Sequence, residues 1–172
     1  MNEDKCYDSY PVRIVLVSVA FSVVLYALGT YIMFLAGLVW MILYILYFLW
    51  LEIRLLRNSC TKCCYYGKVC AFGRGKICAV IFKQGDPQEF ANINITWKSM
   101  VPDLLVTVIP VVTAIVLMVM DFNWLVLASV LIMIVLTSSG NGYIRGSLAC
   151  KYCRQREIGC PAVQLFEKKN VV

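Results

Sequence analysis

The sequence predicts an all-α integral membrane protein: a four-transmembrane-helix bundle with a small cysteine-rich cytosolic subdomain made from the central loop and the C-terminal tail. Three observations carry that expectation. Of 172 residues, 61% are hydrophobic and only 15% are charged, a balance foreign to soluble domains. Two long apolar blocks contain almost no charge. All Lys and Arg residues fall outside the two short turns expected within those blocks.

The first block spans residues 14–51, between Arg13 and Glu52. As one helix its 38 residues would run roughly 57 Å at about 1.5 Å per residue. A bilayer's hydrocarbon core is about 30 Å thick, so the block must fold back. Gly29-Thr30 sits near its middle, which predicts helices over Val12–Leu28 and Tyr31–Leu51. The second block, Leu104 to Ile144, is interrupted at Asp121-Phe122-Asn123. It predicts helices over Asp103–Met120 and Trp124–Ser139. No small-residue cleavage signal follows the first helix, so that helix is not expected to be a removable signal peptide. The resulting organisation is a stub with two helices (1–51), a cysteine-rich loop (52–102), two more helices (103–144) and a cysteine-rich tail (145–172).

Charge sets the expected orientation. The 16 Lys and Arg residues lie in the stub, the loop and the tail. By the positive-inside rule both termini and all cysteines are expected in the cytoplasm of a multi-pass cell-membrane protein. The net charge of +6 is read as attraction to lipid headgroups rather than nucleic acid, because Arg54, Arg57, Arg145 and Lys151 flank the helices. Apart from Arg13 and Asp103 at their ends, the expected spans contain no charge, unlike the pathways of transporters and proton channels. Pro110 is expected to kink the third helix. Gly29 and Gly37 are expected to permit close helix approach. Tyr44, Tyr47, Trp50 and Trp97 are aromatics among which a quinone-like molecule could sit, although aromatic belts are common at membrane interfaces.

The loop and tail are too short to stabilise themselves by apolar burial alone. They carry the chain's most informative pattern: nine cysteines and no histidine. Cys60-x2-Cys63-Cys64-x5-Cys70-x7-Cys78 lies in the loop, and Cys150-x2-Cys153-x6-Cys160-Pro161 in the tail. Thiols at this density in a reducing compartment point to metal rather than disulfides. Thiolate–metal bonds would staple the subdomain and tie loop to tail. Zinc ribbons use two Cys-x2-Cys pairs on one tetrahedral ion, which Cys60, Cys63, Cys150 and Cys153 would satisfy. Iron–sulfur clusters are held by four thiolates each, and a ligand cysteine followed by proline is familiar there. Eight grouped thiols make two such sets. The expected partition is Cys60, Cys63, Cys70 and Cys78 for one centre, and Cys64, Cys150, Cys153 and Cys160 for the other. Cys6 is read as a bystander. Gly67, Gly73, Gly75 and Gly159 would let backbone amides approach the sulfurs. Lys62, Lys68, Arg74, Lys76, Lys151, Arg154 and Arg156 would offset an anionic centre.

Other chemistry has less support. Thioredoxin-type exchange uses Cys-x-x-Cys, but there is no room for its domain. Gly73-Arg-Gly75 and Gly140-Asn-Gly142 are too short for phosphate fingerprints, and no histidine base exists. In the loop, Asp86-Pro87-Gln88-Glu89 reads as a helix start, with a short interfacial helix carrying Phe90, Ile93 and Trp97 and ending before Pro102. Asn94-Ile95-Thr96 matches a glycosylation sequon that a cytosolic position silences. The functional expectation is electron transfer by two iron–sulfur clusters between a soluble carrier and a membrane partner, with a zinc-stapled adaptor as the alternative. An acidic carrier suits the basic face, and limited burial makes a homodimer plausible.

Overall fold

The computed structural model describes residues 6–91 and 96–160. Ile93 and the Asn94-Ile95 part of the sequon lie outside that range, as does Pro161 after the last cysteine. Among the described residues all regular structure is helical, apart from one isolated parallel bridge between Tyr7 and Cys153. Among the described residues four segments are long and apolar enough to cross a membrane: Val12–Ala36, Leu38–Lys62, Lys98–Met120 and Trp124–Ala149.

Helix α1 (Val12–Ala36) and α2 (Leu38–Asn58) meet at Gly37, not at the expected Gly29-Thr30. Gly37 has φ +132°, a backbone state that side chains disfavour, and this allows the single-residue break. Gly29 has a different use. It lies inside α1 against the Tyr44 ring of α2, where an added Cβ would sit 2.8 Å from Tyr44 Cζ. Pairing 29 with 44 and stacking Tyr26 on Phe48 at 4.6 Å both centre the hairpin near residue 37. The shift also moves Glu52 into α2. It lies roughly 22 Å along the helix from Gly37, inside the apolar length, where the Tyr26 hydroxyl donates to it at 2.6 Å. The expectation of charge-free spans is therefore corrected at this carboxylate.

Helix α3 (Arg74–Ile81) and α4 (Pro87–Ala91) fall in the loop. The expected start of α4 is present: the Gln88 amide donates to Asp86 Oδ1 at 2.9 Å. The helix does not continue to Trp97, which instead begins α5 (Trp97–Met120). Pro102 and Pro110 both lie inside α5, so Pro102 is not the boundary the sequence suggests. The Asp121–Asn123 turn is as expected, with the Asn123 side chain accepting from Leu125 N–H at 2.8 Å in the manner of an N-cap.

Helix α6 (Trp124–Val135) does not stop at Ser139. It passes through a π-helical turn (Leu136–Gly140), a short α turn, α7 (Asn141–Tyr143), and a second π segment (Ile144–Ala149). The last of these closes on an i→i−5 bond from Cys150 N–H to Arg145 oxygen at 2.7 Å. A four-residue helix, α8 (Gln155–Ile158), completes the described chain.

The chain forms two compact units. The membrane unit comprises Ala20–Glu52 and Trp97–Tyr143. Its core is Ile32, Ala114, Val126, Val130 and Met133, so α1, α5 and α6 pack together. Helix α2 joins through aromatics and through two tyrosine hydroxyls on carbonyls of α5: Tyr44 to Val106 at 3.0 Å and Tyr47 to Pro102 at 2.9 Å. Pro110 lacks the N–H that would reach Val106 oxygen, and Tyr44 supplies the missing donor. Leu46, Val116 and Leu131 stand exposed, as a lipid environment requires of a helix face.

The cysteine unit comprises the described residues up to Val19, Ile53–Thr96 and those from Ile144 onward. Its core is aromatic and small: Tyr10, Tyr65, Ala71 and Ala149, with Tyr7, Phe72 and four cysteines packed around them.

Candidate metal centre

One Cys-x2-Cys segment begins two residues after α2 ends at Asn58 and the other directly follows the second π segment at Ala149, and the two fold alike. Cys63 N–H donates to Cys60 oxygen and Cys153 N–H to Cys150 oxygen, both at 3.3 Å. Tyr66 N–H then reaches Cys63 oxygen at 3.0 Å, and Arg156 N–H reaches Cys153 oxygen at 3.1 Å. In each turn the amide two residues after the second cysteine points at that sulfur: Tyr65 N–H at Cys63 and Gln155 N–H at Cys153. Donors aimed at sulfur favour its thiolate form. Thr61 anchors the first turn to α2 through Oγ1, which donates to Arg57 oxygen at 2.7 Å.

The rest of the loop returns to this turn. Gly73, at φ +70°, starts α3. The Gly75 amide donates to Cys70 Sγ at 3.3 Å, so an amide does approach a sulfur here. A Cβ at Gly75 would overlap the carbonyl oxygens of Tyr65 and Lys68. Cys78 lies on α3. Its side chain is fully buried, with the thiol 3.6 Å from Leu56 oxygen.

Electrostatic neighbourhood sorts the sulfurs. Cys60 lies within reach of Cys70, Cys78 and Cys63, and Cys78 within reach of Cys63 and Cys70. Cys153 lies within reach of Cys63, Cys150 and Cys160, and Cys150 within reach of Cys160. Cys64 feels Cys63 and Cys153 and stands where the two neighbourhoods meet. Among the described residues, no three His, Cys, Asp or Glu side chains converge tightly enough to ligate one ion. The metal staple expected from the sequence is not shown among the described residues. Cys63, Cys64, Cys70 and Cys153 instead pack as small apolar groups against the tyrosine core, which is how neutral thiols behave.

Protonation follows. The Cys64 thiol donating to Cys63, with burial opposing and backbone amides assisting, holds Cys63 below the ordinary thiol range. The same bond and burial push Cys64 up. Burial pushes Cys153 up to about 11, against the Gln155 amide, and raises Cys150 and Cys78. A metal entering here must displace protons from most of its ligands. Cys6 does have a partner: its thiol donates to Glu157 at 3.2 Å, which raises its pKa. Among the cations, Arg154 pairs with Asp8 and Lys62 with Glu89 at 2.6 Å, while Arg74 and Arg145 both lie 5.8 Å from the Phe72 ring centre.

Sequence reasoning passed over the residues that hold loop, tail and stub together. Tyr7 N–H donates to Tyr152 oxygen at 3.1 Å, and Tyr10 N–H to Val69 oxygen at 3.0 Å. The Tyr10 hydroxyl donates to Ala149 oxygen. The Tyr65 hydroxyl donates to Tyr7 oxygen at 2.6 Å and accepts from Arg154 N–H at 3.1 Å. Gln155 accepts from Cys64 N–H at 2.9 Å and donates to Gly159 oxygen at 3.1 Å. The one available signal was the density of tyrosine beside the cysteines: Tyr7, Tyr10, Tyr65, Tyr66 and Tyr152.

In the membrane unit, Tyr44 and Tyr47 are engaged on carbonyls rather than free for a ligand, and Trp50 stacks on Tyr47 at 6.1 Å. The side chain of Trp97 lies outside those described. An open apolar groove of about 640 Å³ lies elsewhere, lined chiefly by Val23, Tyr26, Tyr31, Phe34, Met41 and Phe48. No known protein family, curated protein or solved structure matches this chain.

Proposed function

We propose that this chain is a membrane-anchored thiolate metal protein that moves electrons. Two iron–sulfur clusters would be held by Cys60, Cys63, Cys70 and Cys78, and by Cys64, Cys150, Cys153 and Cys160. The observation that carries the reading is the matched pair of Cys-x2-Cys turns, each with a backbone amide aimed at its second sulfur. Such amides stabilise bound thiolates and tune potential. Sulfurs gather around Cys60 and around Cys153, with Cys63 common to both neighbourhoods.

A bound cluster supplies a one-electron step, and the protein supplies placement, amide dipoles and nearby cations. An acidic soluble carrier suits the basic face. The groove lined by Tyr26, Tyr31 and Phe48 suits the apolar body of a quinone-like acceptor. The positive-inside rule puts the cysteines and both termini in the cytoplasm. The alternative is a zinc-stapled adaptor. It is favoured by the direct pairing of the two turns, because zinc ribbons place two such turns on one ion.

Elemental analysis and a visible spectrum of protein purified without oxygen test the reading. Iron, acid-labile sulfide and a brown colour that bleaches on reduction are expected. Colourless protein with stoichiometric zinc overturns electron transfer, because zinc has no accessible redox step.

A further inference from the structure

The two cysteine turns match position by position at a constant offset of 90 residues: 60 with 150, 63 with 153, 64 with 154, 65 with 155 and 66 with 156. Their mutual contacts follow the same correspondence. Cys64 N–H donates to the Gln155 side chain, at a separation of 91 residues, and Arg154 N–H donates to the Tyr65 hydroxyl, at a separation of 89. Position 64 of one turn thus touches position 155 of the other, and 154 touches 65. That exchange is the signature of a two-fold relation, in which i meets j and j meets i. The sequences themselves share little beyond the cysteines.

Both bracing side chains are nearly inaccessible: Gln155 is 2% exposed and Tyr65 is 3%. Each also makes a second hydrogen bond. Gln155 Nε2 donates to Gly159 oxygen, beside Cys160, and the Tyr65 hydroxyl donates to Tyr7 oxygen. One glutamine side chain therefore fixes the backbone at Cys64 and immediately before Cys160. A buried amide held at both its oxygen and its nitrogen favours one arrangement, whereas one left unpaired is costly.

We infer that the two turns form one pseudo-two-fold pair, and that Gln155 and Tyr65 are positioning residues that set its affinity for a thiophilic divalent metal. The inference rests on the metal-centre reading above and deepens it. Neither side chain touches the metal. They act by holding the two turns in the register from which both sets of sulfurs close. Outer groups that orient ligands contribute tenfold to a hundredfold in metal affinity elsewhere.

The test is a cobalt(II) titration of the reduced, chelator-stripped full chain in detergent micelles. Affinity is read by competition with a chelator, and geometry from the d–d and sulfur-to-cobalt charge-transfer bands. Gln155→Leu and Tyr65→Phe are each expected to weaken cobalt binding at least tenfold and to distort the d–d envelope. Gln155→Glu keeps the acceptor for Cys64 N–H but loses the donor to Gly159 oxygen, and should fall between Gln155→Leu and wild type. Tyr47→Phe, which removes a tyrosine-to-carbonyl bond in the membrane unit, should stay within about threefold of wild type. If Gln155→Leu does not fold, Tyr65→Phe decides. A folded Gln155→Leu or Tyr65→Phe protein with wild-type affinity and spectrum overturns the inference and leaves the metal reading standing. A wild-type chain that takes up no cobalt overturns both.

Discussion

Tyr44→Phe removes one oxygen and tests how α5 tolerates Pro110. In an unbroken helix the residue at 110 would donate to Val106 oxygen. Proline has no N–H to give, and the Tyr44 hydroxyl occupies that acceptor at 3.0 Å. Tyr44 is only 3% exposed, so no water substitutes for it. An unsatisfied polar group costs about 1–3 kcal/mol, while side-chain bonds in membrane proteins average about 0.6 and reach about 1.7. Because the backbone offers no replacement, the upper part of the membrane range applies, and we expect a loss of about 1–2 kcal/mol. Tyr47→Phe is the comparison. Its acceptor, Pro102 oxygen, also lies within reach of the helix's own Val106 N–H, so its loss should be under about 0.5 kcal/mol by the same scale. Gly29→Ala reaches the same site from the other side. The new Cβ would stand 2.8 Å from Tyr44 Cζ and force the ring away, at about 1–3 kcal/mol. Since that displacement already breaks the hydroxyl bond, adding Tyr44→Phe to Gly29→Ala should cost about 1 kcal/mol less than the sum of the two. Unfolding in mixed micelles with increasing SDS, followed by circular dichroism, measures all four proteins. A neutral Tyr44→Phe, or strict additivity with Gly29→Ala, refutes the reasoning.

Gly37→Ala should destabilise the α1–α2 hairpin by about 1–3 kcal/mol, because φ +132° is strained for any residue with a Cβ; the same SDS titration reads it. In metal-free protein Cys63 should be the first thiol alkylated by iodoacetamide as pH rises, while Cys153, raised to about 11, stays unmodified at neutral pH; peptide mass spectrometry that finds Cys153 labelled first contradicts the assignment. The sign for stability comes from the same shifts. Depressed Cys63 adds stability above the unfolded thiol value of 9.0 that is lost as pH falls through its folded value. Raised Cys153 contributes stability below 9.0 that is lost as pH rises towards about 11. Cys153→Ser should lower bound iron by about half if one of two four-thiolate centres is lost, as iron analysis would show; unchanged metal and stability would remove Cys153 from the ligand set.

The number of membrane-length helices was legible in the sequence because hydrophobic length alone decides it. The Asp121–Asn123 turn was legible because polar residues interrupt an apolar block and Asn123 can cap the helix that begins at Trp124. The first turn was misplaced for a physical reason: glycine serves both as a break and as a space for close packing, and only the partner helix shows which. Gly37 breaks the chain, whereas Gly29 makes room for Tyr44. Pro102 misled in the same way, since a proline near a helix start is tolerated within it. The cysteine spacing identified the residues that lie together and the two turns they form. It did not reveal the hydrogen bonds that brace the turns against each other. Those depend on Gln155 and Tyr65, two residues with no motif of their own, whose roles exist only where the chain segments leaving α2 and the second π segment come together. The sequence by itself determined the helices and the thiol-rich segments, because composition and periodicity are local. The tertiary structure alone decided the crossed bracing of the turns, because a hydrogen bond between residues some ninety positions apart leaves no local trace.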